Sequence, residues 1–499
     1  MKRLILLSTA LLSFLIASAK SSPPDTESPS LAAYDTHNLP EGIPIAYQGE
    51  DIALAFSFGN AGQVKPLFSI LPDAPGDYYI MRIKSPSLLA SKEIGLPYVL
   101  IGNNAIFKTD ESGATLLSQI GWGLTKLHPQ IPRIKPARLE FPVEAEFDSD
   151  IQQIISVITP QTSRRWIADL SAIATRYSYA QQCRQAEQYV YDHFDSMSLS
   201  PSFFEFQYMD TTMRNVIGEL PGLDSPDSII IVCGHQDCTS ETPFVRAPGA
   251  EDNGSGCSVV LEAARALSLC QFGLTLRFVT FSGEEQGLVG SDAYAAYVQA
   301  QGELIAAVID VDMVAYSGQY ALDMHIFSDQ QSYWLGALGS EIITTYTTLD
   351  TVPHYDLNPQ YGSDHYPFAI RGYPAIFFID AWFDFDWYPF YHTTADTLGN
   401  LNMLQQAAIG QGVGALAATL ARLISGPPFI PGDANANGEV NGVDVVYLVN
   451  YLKGLGPPPP DPFLRADANG NCEVNGVDVV YLVNYLKGFG PEPLAGDCR

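Results

Sequence analysis

Basic residues are scarce in this chain: 26 lysines and arginines stand against 55 aspartates and glutamates, a formal charge of −29. Such a chain repels phosphate backbones and anionic lipid, which excludes nucleic acid and membrane surfaces as partners. Cysteine is sparse as well, with seven irregularly spaced residues in 499. No disulfide framework can build the fold, and an odd number leaves at least one cysteine unpaired within the chain. Beyond the first twenty residues no apolar run approaches the ~20 residues needed to cross a bilayer. Neither a G-x-S-x-G elbow nor an H-E-x-x-H pair occurs, so those two hydrolytic solutions are missing.

What is present is ample apolar material, 46% of the residues, and a length that implies two to four domains. Residues 1–19 read as a secretory signal. Lys2 and Arg3 precede the apolar stretch "LILLSTALLSFLIA", and Ala17-Ser18-Ala19 fits a cleavage site. A secreted, extracellular location follows as the expectation, periplasmic or on a cell-surface scaffold being variants of it. Residues 20–35, with "SSPPDTESPS", read as a linker. Residues 36–147 read as a small α+β domain, a possible prodomain, from strand-like "DYYIMRIK", "LPYVLIG" and "NAIFKT" and helix-like "SGATLLSQIG".

Residues 148–425 read as one α/β domain with a mostly parallel central sheet flanked by helices. "SIIIVCG", "LTLRFVTF", "LIAAVIDVD" and "PAIFFID" are continuous apolar runs, as in strands buried on both faces. "GSGCSVVLEAARALSL", between the first two, has the length of a crossover helix. Residues 426–432 are a second linker. Residues 433–499 hold a duplication: "DANANGEVNGVDVVYLVNYLKGLGP" from Asp433 and "DANGNCEVNGVDVVYLVNYLKGFGP" from Asp467.

In an open α/β sheet the chemistry lies beyond the carboxyl ends of the strands. His235, Gln236 and Asp237 follow the first apolar strand, and Glu284 and Glu285 follow the second. Asp312 ends the third, Asp252 precedes the crossover helix, and His392 follows the fourth. Imidazole and carboxylate in that mixture suit zinc. Three ligands and water suit one ion, whereas five with a bridging carboxylate suit two ions about 3.5–4 Å apart. Adjacent carboxylates after so apolar a strand need either a turn into water or a cation.

The ordered set "GHQD … APGAEDNGSG … FSGEEQGLVGS … DVDM … YHTTADT" resembles the co-catalytic dizinc peptidases related to bacterial leucyl aminopeptidases, a family that also holds glutamate carboxypeptidases and single-zinc glutaminyl cyclases. The resemblance runs over roughly residues 160–425 and implies a zinc-exopeptidase-like fold. It implies that His235 and Asp312 bind one zinc, that Glu285 and His392 bind the other, and that Asp252 bridges them. Glu284 would be the general base, and Asp237 would hold the second nitrogen of His235. Gln236 and Cys238 depart from the family's usual flanks. Tyr391 matches a tyrosine that steadies the oxyanion in some relatives, and it reads equally as a packed aromatic. "YGSDHYPF" matches a stretch near the family's substrate pocket, which sets Asp364 or His365 beside the site. Trp382, Phe383, Phe385 and Trp387 form either an apolar pocket wall or a lid or core loop. The implied activity is that of a zinc-dependent aminopeptidase removing apolar N-terminal residues from peptides. The alternatives are a cyclase or carboxypeptidase of the same family, or a binding protein.

In the duplication, Asp433, Asn435, Asn437, Asn441 and Asp444 occupy positions 1, 3, 5, 9 and 12 of a calcium-type loop. Asp467, Asn469, Asn471, Asn475 and Asp478 repeat them. Gly438 supplies the turn in the first loop, and Cys472 replaces it in the second. Each loop runs into a helix, and Pro/Gly-rich "GPPFIPG" ahead of the first cannot form one. A pair of such loops with exit helices only resembles a type I dockerin, which implies two calcium ions and a cohesin-type scaffold partner. Gly442-Val443 and Gly476-Val477 stand where that family often has Ser or Thr. The alternative is a calcium-stabilised structural tail. A Cys472–Cys498 disulfide is expected to clamp the last loop.

Overall fold

The structure is a computed structural model. It describes residues 145–317, 323–356, 362–380, 388–425, 429–460 and 463–494, with shorter stretches between residues 5 and 141.

Eight strands form the central sheet: β1 (Ser200–Tyr208), β2 (Thr211–Leu220), β3 (Ser225–His235), β4 (Leu274–Phe281), β5 (Leu304–Val311), β6 (Asp323–Asp329), β7 (Asp350–Asp356) and β8 (Ala375–Ile379). Their order is β1-β2-β4-β3-β5-β8-β6-β7. The four strands read from apolar runs are the central ones, and β4-β3-β5-β8 are mutually parallel. Every residue of β4 and β8 is buried, as helices on both faces require.

The sheet is mixed, with four of its seven strand pairings parallel, as the apolar runs implied, and three antiparallel. β1 and β2 enter as an antiparallel hairpin, β2 lies antiparallel to β4, and β6 is antiparallel to β8 and parallel to β7. β1 carries only exposed and half-buried residues and joins β2 through a tight turn, the connection open to antiparallel neighbours.

The helix Gly254–Leu267 joins parallel neighbours β3 and β4, a βαβ unit. It packs against the helix Met403–Leu420, which also meets Tyr333–Tyr346. Met403–Leu420 is buried nearly all round and rich in Ala and Gly. A Cβ at Gly412 would come within 2.8 Å of Ile343, so close helix approach needs glycine there. Ile409, Val413 and Leu416 join Val260, Ile309 and Phe378 in the main core, each side chain contributing about 1.5–3 kcal/mol of burial.

The N-terminal region contains two small sheets. One joins Ile5–Leu7, Tyr98–Ile101, Asn104–Thr109, Asp77–Arg82 and Trp122–Leu127, with the helix Glu111–Ser118; the other joins Ile45–Gln48, Ile52–Ser57, Ser30–Asp35 and Phe68–Ser69. Ser30–Asp35 is therefore a strand, where the sequence reading placed the end of a linker. Of the segment read as a secretory signal, only Ile5–Leu7 is described, as a strand parallel to Tyr98–Ile101. A short apolar run carries no periodicity that separates a signal core from a buried strand. Among the described residues, no helix is long and apolar enough to cross a membrane.

At the C-terminal end the two repeats give matching helices, Gly442–Leu452 and Gly476–Leu486, packed on each other. Leu448, Leu482, Ala434 and Ala468 form their small core. Cys472 is disulfide-bonded; Cys498 lies outside the described residues, and the other five cysteines are free and buried.

Candidate metal centre

The carboxyl ends of β4, β3, β5 and β8 share one edge because these strands are parallel neighbours. His235 closes β3, Asp312 follows β5, and Glu284 and Glu285 follow β4 by three and four residues. The two glutamates sit in a turn, not on the strand: Gly287 N–H and Leu288 N–H both donate to Glu284 O at 2.8 Å. Gly283 opens that turn at φ +78, where a Cβ would meet Val289 at 2.4 Å.

Asp252 lies at the centre. Its Oδ1 is 3.4 Å from His235 Nε2 and its Oδ2 is 3.1 Å from His392 Nε2. His235 Nε2 is also 3.3 Å from Asp312 Oδ1, and His392 Nε2 is 2.8 Å from Glu285 Oε2. Two potential ligand groups result, His235 with Asp312 and Glu284, and Asp252 with Glu285 and His392. Glu284 stands farther off, 3.9 Å from His235 Nε2. His235 Nε2, Asp252 Oδ2, Glu285 Oε1, Asp312 Oδ1 and His392 Nε2 are all buried without a hydrogen-bond partner. Five orphaned donor atoms turned toward one small volume are costly unless cations pair them. The nitrogen and oxygen donor set, with one carboxylate facing both histidines, fits two zinc ions.

Electrostatics point the same way. Burial pushes the carboxyls of Glu284, Glu285 and Asp312 up, Glu285 to about 7. Burial disfavours charge on His392, but Glu285 and Asp252 win and push it up to about 10. Burial likewise opposes charge on His235, and Asp312 and Glu284 override it to raise its pKa well above the ordinary value. Asp252 is raised by burial and lowered more by its two histidines, ending below the usual carboxylate range. The site is short of positive charge, and protons partly fill the need.

The backbone around the ligands is fixed by further residues. The peptide bond Asp252–Asn253 is cis, as the resemblance implied. The Asn253 side chain caps the helix Gly254–Leu267 by accepting from Gly256 N–H at 2.7 Å and donates to Val311 O at 2.9 Å. Asp396 accepts the N–H groups of Glu251 and Asp252 at 2.8 and 3.1 Å, and Tyr388 Oη donates to it at 2.8 Å. Ser363 Oγ donates to Asp312 Oδ2 at 2.9 Å. Arg176 is fully buried and donates to the carbonyls of Gln236, Leu170, Pro248 and Gly249 at 2.8, 3.3, 2.5 and 2.7 Å, tying the His235 loop to the Asp252 loop. Ser363, Glu251 and Asp396 lay inside quoted motifs. A lone arginine in "ATRYS" carried no such signal.

Asp237 lies beside His235 Nδ1, with its backbone carbonyl at 3.1 Å and its carboxylate at 3.7 Å. The Nε2 lone pair is left facing the site. The carboxylate accepts from Ser178 Oγ at 2.7 Å and from Glu284 N–H and Glu285 N–H at 3.3 and 3.4 Å.

Tyr391 stacks on His392 with centroids 3.7 Å apart; burial and the site carboxylates push its hydroxyl pKa well up. His365 is held to Asp310, its N–H donating at 2.9 Å, and stacks on Phe377. Asp364 is fully buried with both carboxyl oxygens unpartnered. Trp382, Phe383, Phe385 and Trp387 lie outside the described residues.

The tail loops are closed by hydrogen bonds among their own side chains and backbone. Asp433, Asp444, Asp467 and Asp478 are all buried. Asp433 accepts from Asn437 N–H and Gly438 N–H at 3.0 Å each, and Asp467 from Asn471 N–H and Cys472 N–H at 3.1 and 2.7 Å. Asn435 and Asn469 reach Asp444 and Asp478. Asn441 and Asn475 cap the exit helices in capping boxes with Asp444 and Asp478. Burial raises Asp444 and Asp478 above the usual range. Loops that offer oxygen-bearing side chains around two buried carboxylates fit calcium.

Comparison with known proteins gives two family matches: Peptidase family M28 over residues 215–417 and Dockerin type I domain over residues 431–487. A probable leucine aminopeptidase of Trichophyton verrucosum is 28% identical over 294 residues, 56% of this chain and 78% of that protein. Leucine aminopeptidase 1 of Sclerotinia sclerotiorum is 26% identical over 305 residues, 56% of this chain and 77% of that protein. The crystal structure of the Legionella pneumophila LapA aminopeptidase shares the fold with TM-score 0.56 at 20% identity, over 70% of this chain and all of that one.

Proposed function

We propose, on the premise that the chain belongs to peptidase family M28 and ends in a type I dockerin domain, that it is a secreted dizinc aminopeptidase removing apolar N-terminal residues. Family and relatives indicate a zinc-dependent hydrolase. The observation that carries the finer reading is Asp252, whose two oxygens each face a different histidine with a buried, orphaned Nε2.

His235 and Asp312 would hold one zinc, Glu285 and His392 the other, with Asp252 between. When bound, the ions supply Lewis acidity, polarising the scissile carbonyl and acidifying water. Glu284, farther from His235 Nε2 than Asp252 and Asp312 are, takes the proton from the attacking water and passes it to the leaving amine. Tyr391, its hydroxyl kept protonated, donates toward the oxyanion.

The basic, apolar N-terminus supports secretion. The tail supports two calcium ions and a cohesin-type scaffold partner. Val443, Val446 and Leu455 of the first repeat and Val477, Val480 and Phe489 of the second are exposed, so contact with that partner would be apolar where relatives often use hydroxyls.

An assay panel on zinc-loaded protein tests the activity: aminoacyl anilides, N-blocked peptides and glutaminyl peptides. Hydrolysis confined to free-amine substrates is expected. Ammonia release from N-terminal glutamine would select a cyclase, cleavage of N-blocked peptides at the carboxyl end a carboxypeptidase, and silence with metal bound a binding protein.

A further inference from the structure

The first tail loop is touched by a charge from outside its own repeat. Arg465 sits in the turn Phe463–Ala466, just ahead of the second loop. Its Nη1 is 3.5 Å from Asp433 Oδ2 and 3.5 Å from Asp433 O. The turn is pinned, because Gly432 N–H donates to Arg465 O at 2.7 Å and Arg465 Nε donates to Pro460 O at 3.2 Å. Arg465 and Asp433 are both buried, so solvent screens the pair weakly. Asp433 occupies position 1 of the loop, a ligand that calcium would need.

We propose that Arg465 is a resident cation of the first calcium loop, holding Asp433 when the loop is empty and lowering its affinity for calcium. The inference rests on the calcium reading above. Asp433 and Asp444 give the loop two negative charges, and the guanidinium cancels one of them. A unit charge a few ångströms from an incoming dication costs about tenfold in binding even with water-like screening. The same contact keeps the loop shaped without the ion and couples the start of the second repeat to the first loop. Calcium entering the first loop would weaken Arg465's hold on Asp433, so filling of one loop is felt at the other.

The test is isothermal titration of calcium into the zinc-loaded full chain, stripped of calcium, as wild type, Arg465→Gln, Arg465→Met and Arg465→Lys. Two binding events are expected in wild type. One of the two dissociation constants should fall about tenfold in the Gln and Met variants and stay near wild type in the Lys variant. Unchanged or weaker binding in both uncharged variants overturns the inference. So does weaker binding with loss of helical circular dichroism in calcium-free buffer, which would make Arg465 a structural tether. If wild type itself takes up no calcium, the calcium reading fails first and the inference with it.

Discussion

Asp237 accepts the backbone N–H of Glu284 through Oδ1 at 3.3 Å and that of Glu285 through Oδ2 at 3.4 Å. One carboxylate thus holds two consecutive glutamates, and Ser178 Oγ donates to it at 2.7 Å. In Asp237→Asn one oxygen becomes an NH₂ facing an N–H, and the turn must shift. Activity should fall about 10–100-fold, as is usual for groups one step behind a metal. Zinc content by elemental analysis separates a displaced base from a lost ligand. Wild-type turnover in this variant would mean that the turn holds itself.

Glu284→Gln keeps shape and burial but cannot carry the proton. The expected result is retention of both zinc ions and a loss of kcat of about 10²–10⁴. Normal hydrolysis of an aminoacyl anilide by this variant would remove Glu284 from the mechanism.

Removing metal exposes the cost of the orphaned atoms. Dialysis against a chelator should abolish hydrolysis and lower the melting temperature, because buried carboxylates and imidazoles then face one another unpaired. Zinc at two equivalents per chain should restore both. Full activity in metal-free protein, checked by elemental analysis, would overturn the dizinc reading.

Arg176→Met keeps an apolar stem but leaves four carbonyls without their donor. At about 1–3 kcal/mol for each buried unpaired group, partly relieved by relaxation, a loss of at least about 3 kcal/mol is expected. Urea denaturation measures it. A loss under about 1 kcal/mol would mean that water replaces the guanidinium.

At the far wing of the sheet, His325 Nδ1 lies 2.8 Å from His354 Nε2, an arrangement that needs one donor and one acceptor. Burial, with His354 adding to it, lowers His325 to about 4, and burial lowers His354 as well. Both folded values lie below the unfolded ~6.5, so the fold prefers the neutral rings. Their contribution is complete above about pH 6.5 and is lost as pH falls toward about 4. The melting temperature of wild type should therefore drop more between pH 7 and pH 5 than that of a His325→Gln/His354→Gln variant. Equal drops would show that the pair does not titrate with folding.

Much of this was written along the chain. His235 and Asp312 sit at strand ends, Asp252 just ahead of a helix and Glu285 in the turn after a strand, positions that hydrophobic runs reveal without any long-range information. The tail loops are legible because the residues that fit calcium are local, all within twelve positions of one another. Other features had no local signature. The antiparallel wings depend on which edge a strand joins. The strand at Ser30–Asp35 exists only because Ile52–Ser57 and Phe68–Ser69 lie beside it.

By itself the sequence determined the inventory: which residue types bear the chemistry, their order, and the duplicated tail. Tertiary structure alone decided how they are held. Asp237 accepts the backbone N–H groups of both glutamates, Arg176 ties the His235 loop to the Asp252 loop, and Arg465 reaches back to Asp433. Each of these is a contact between residues 30 or more apart in the chain. Local periodicity cannot encode such contacts, because they depend on where a whole sheet edge or packed repeat brings the backbone.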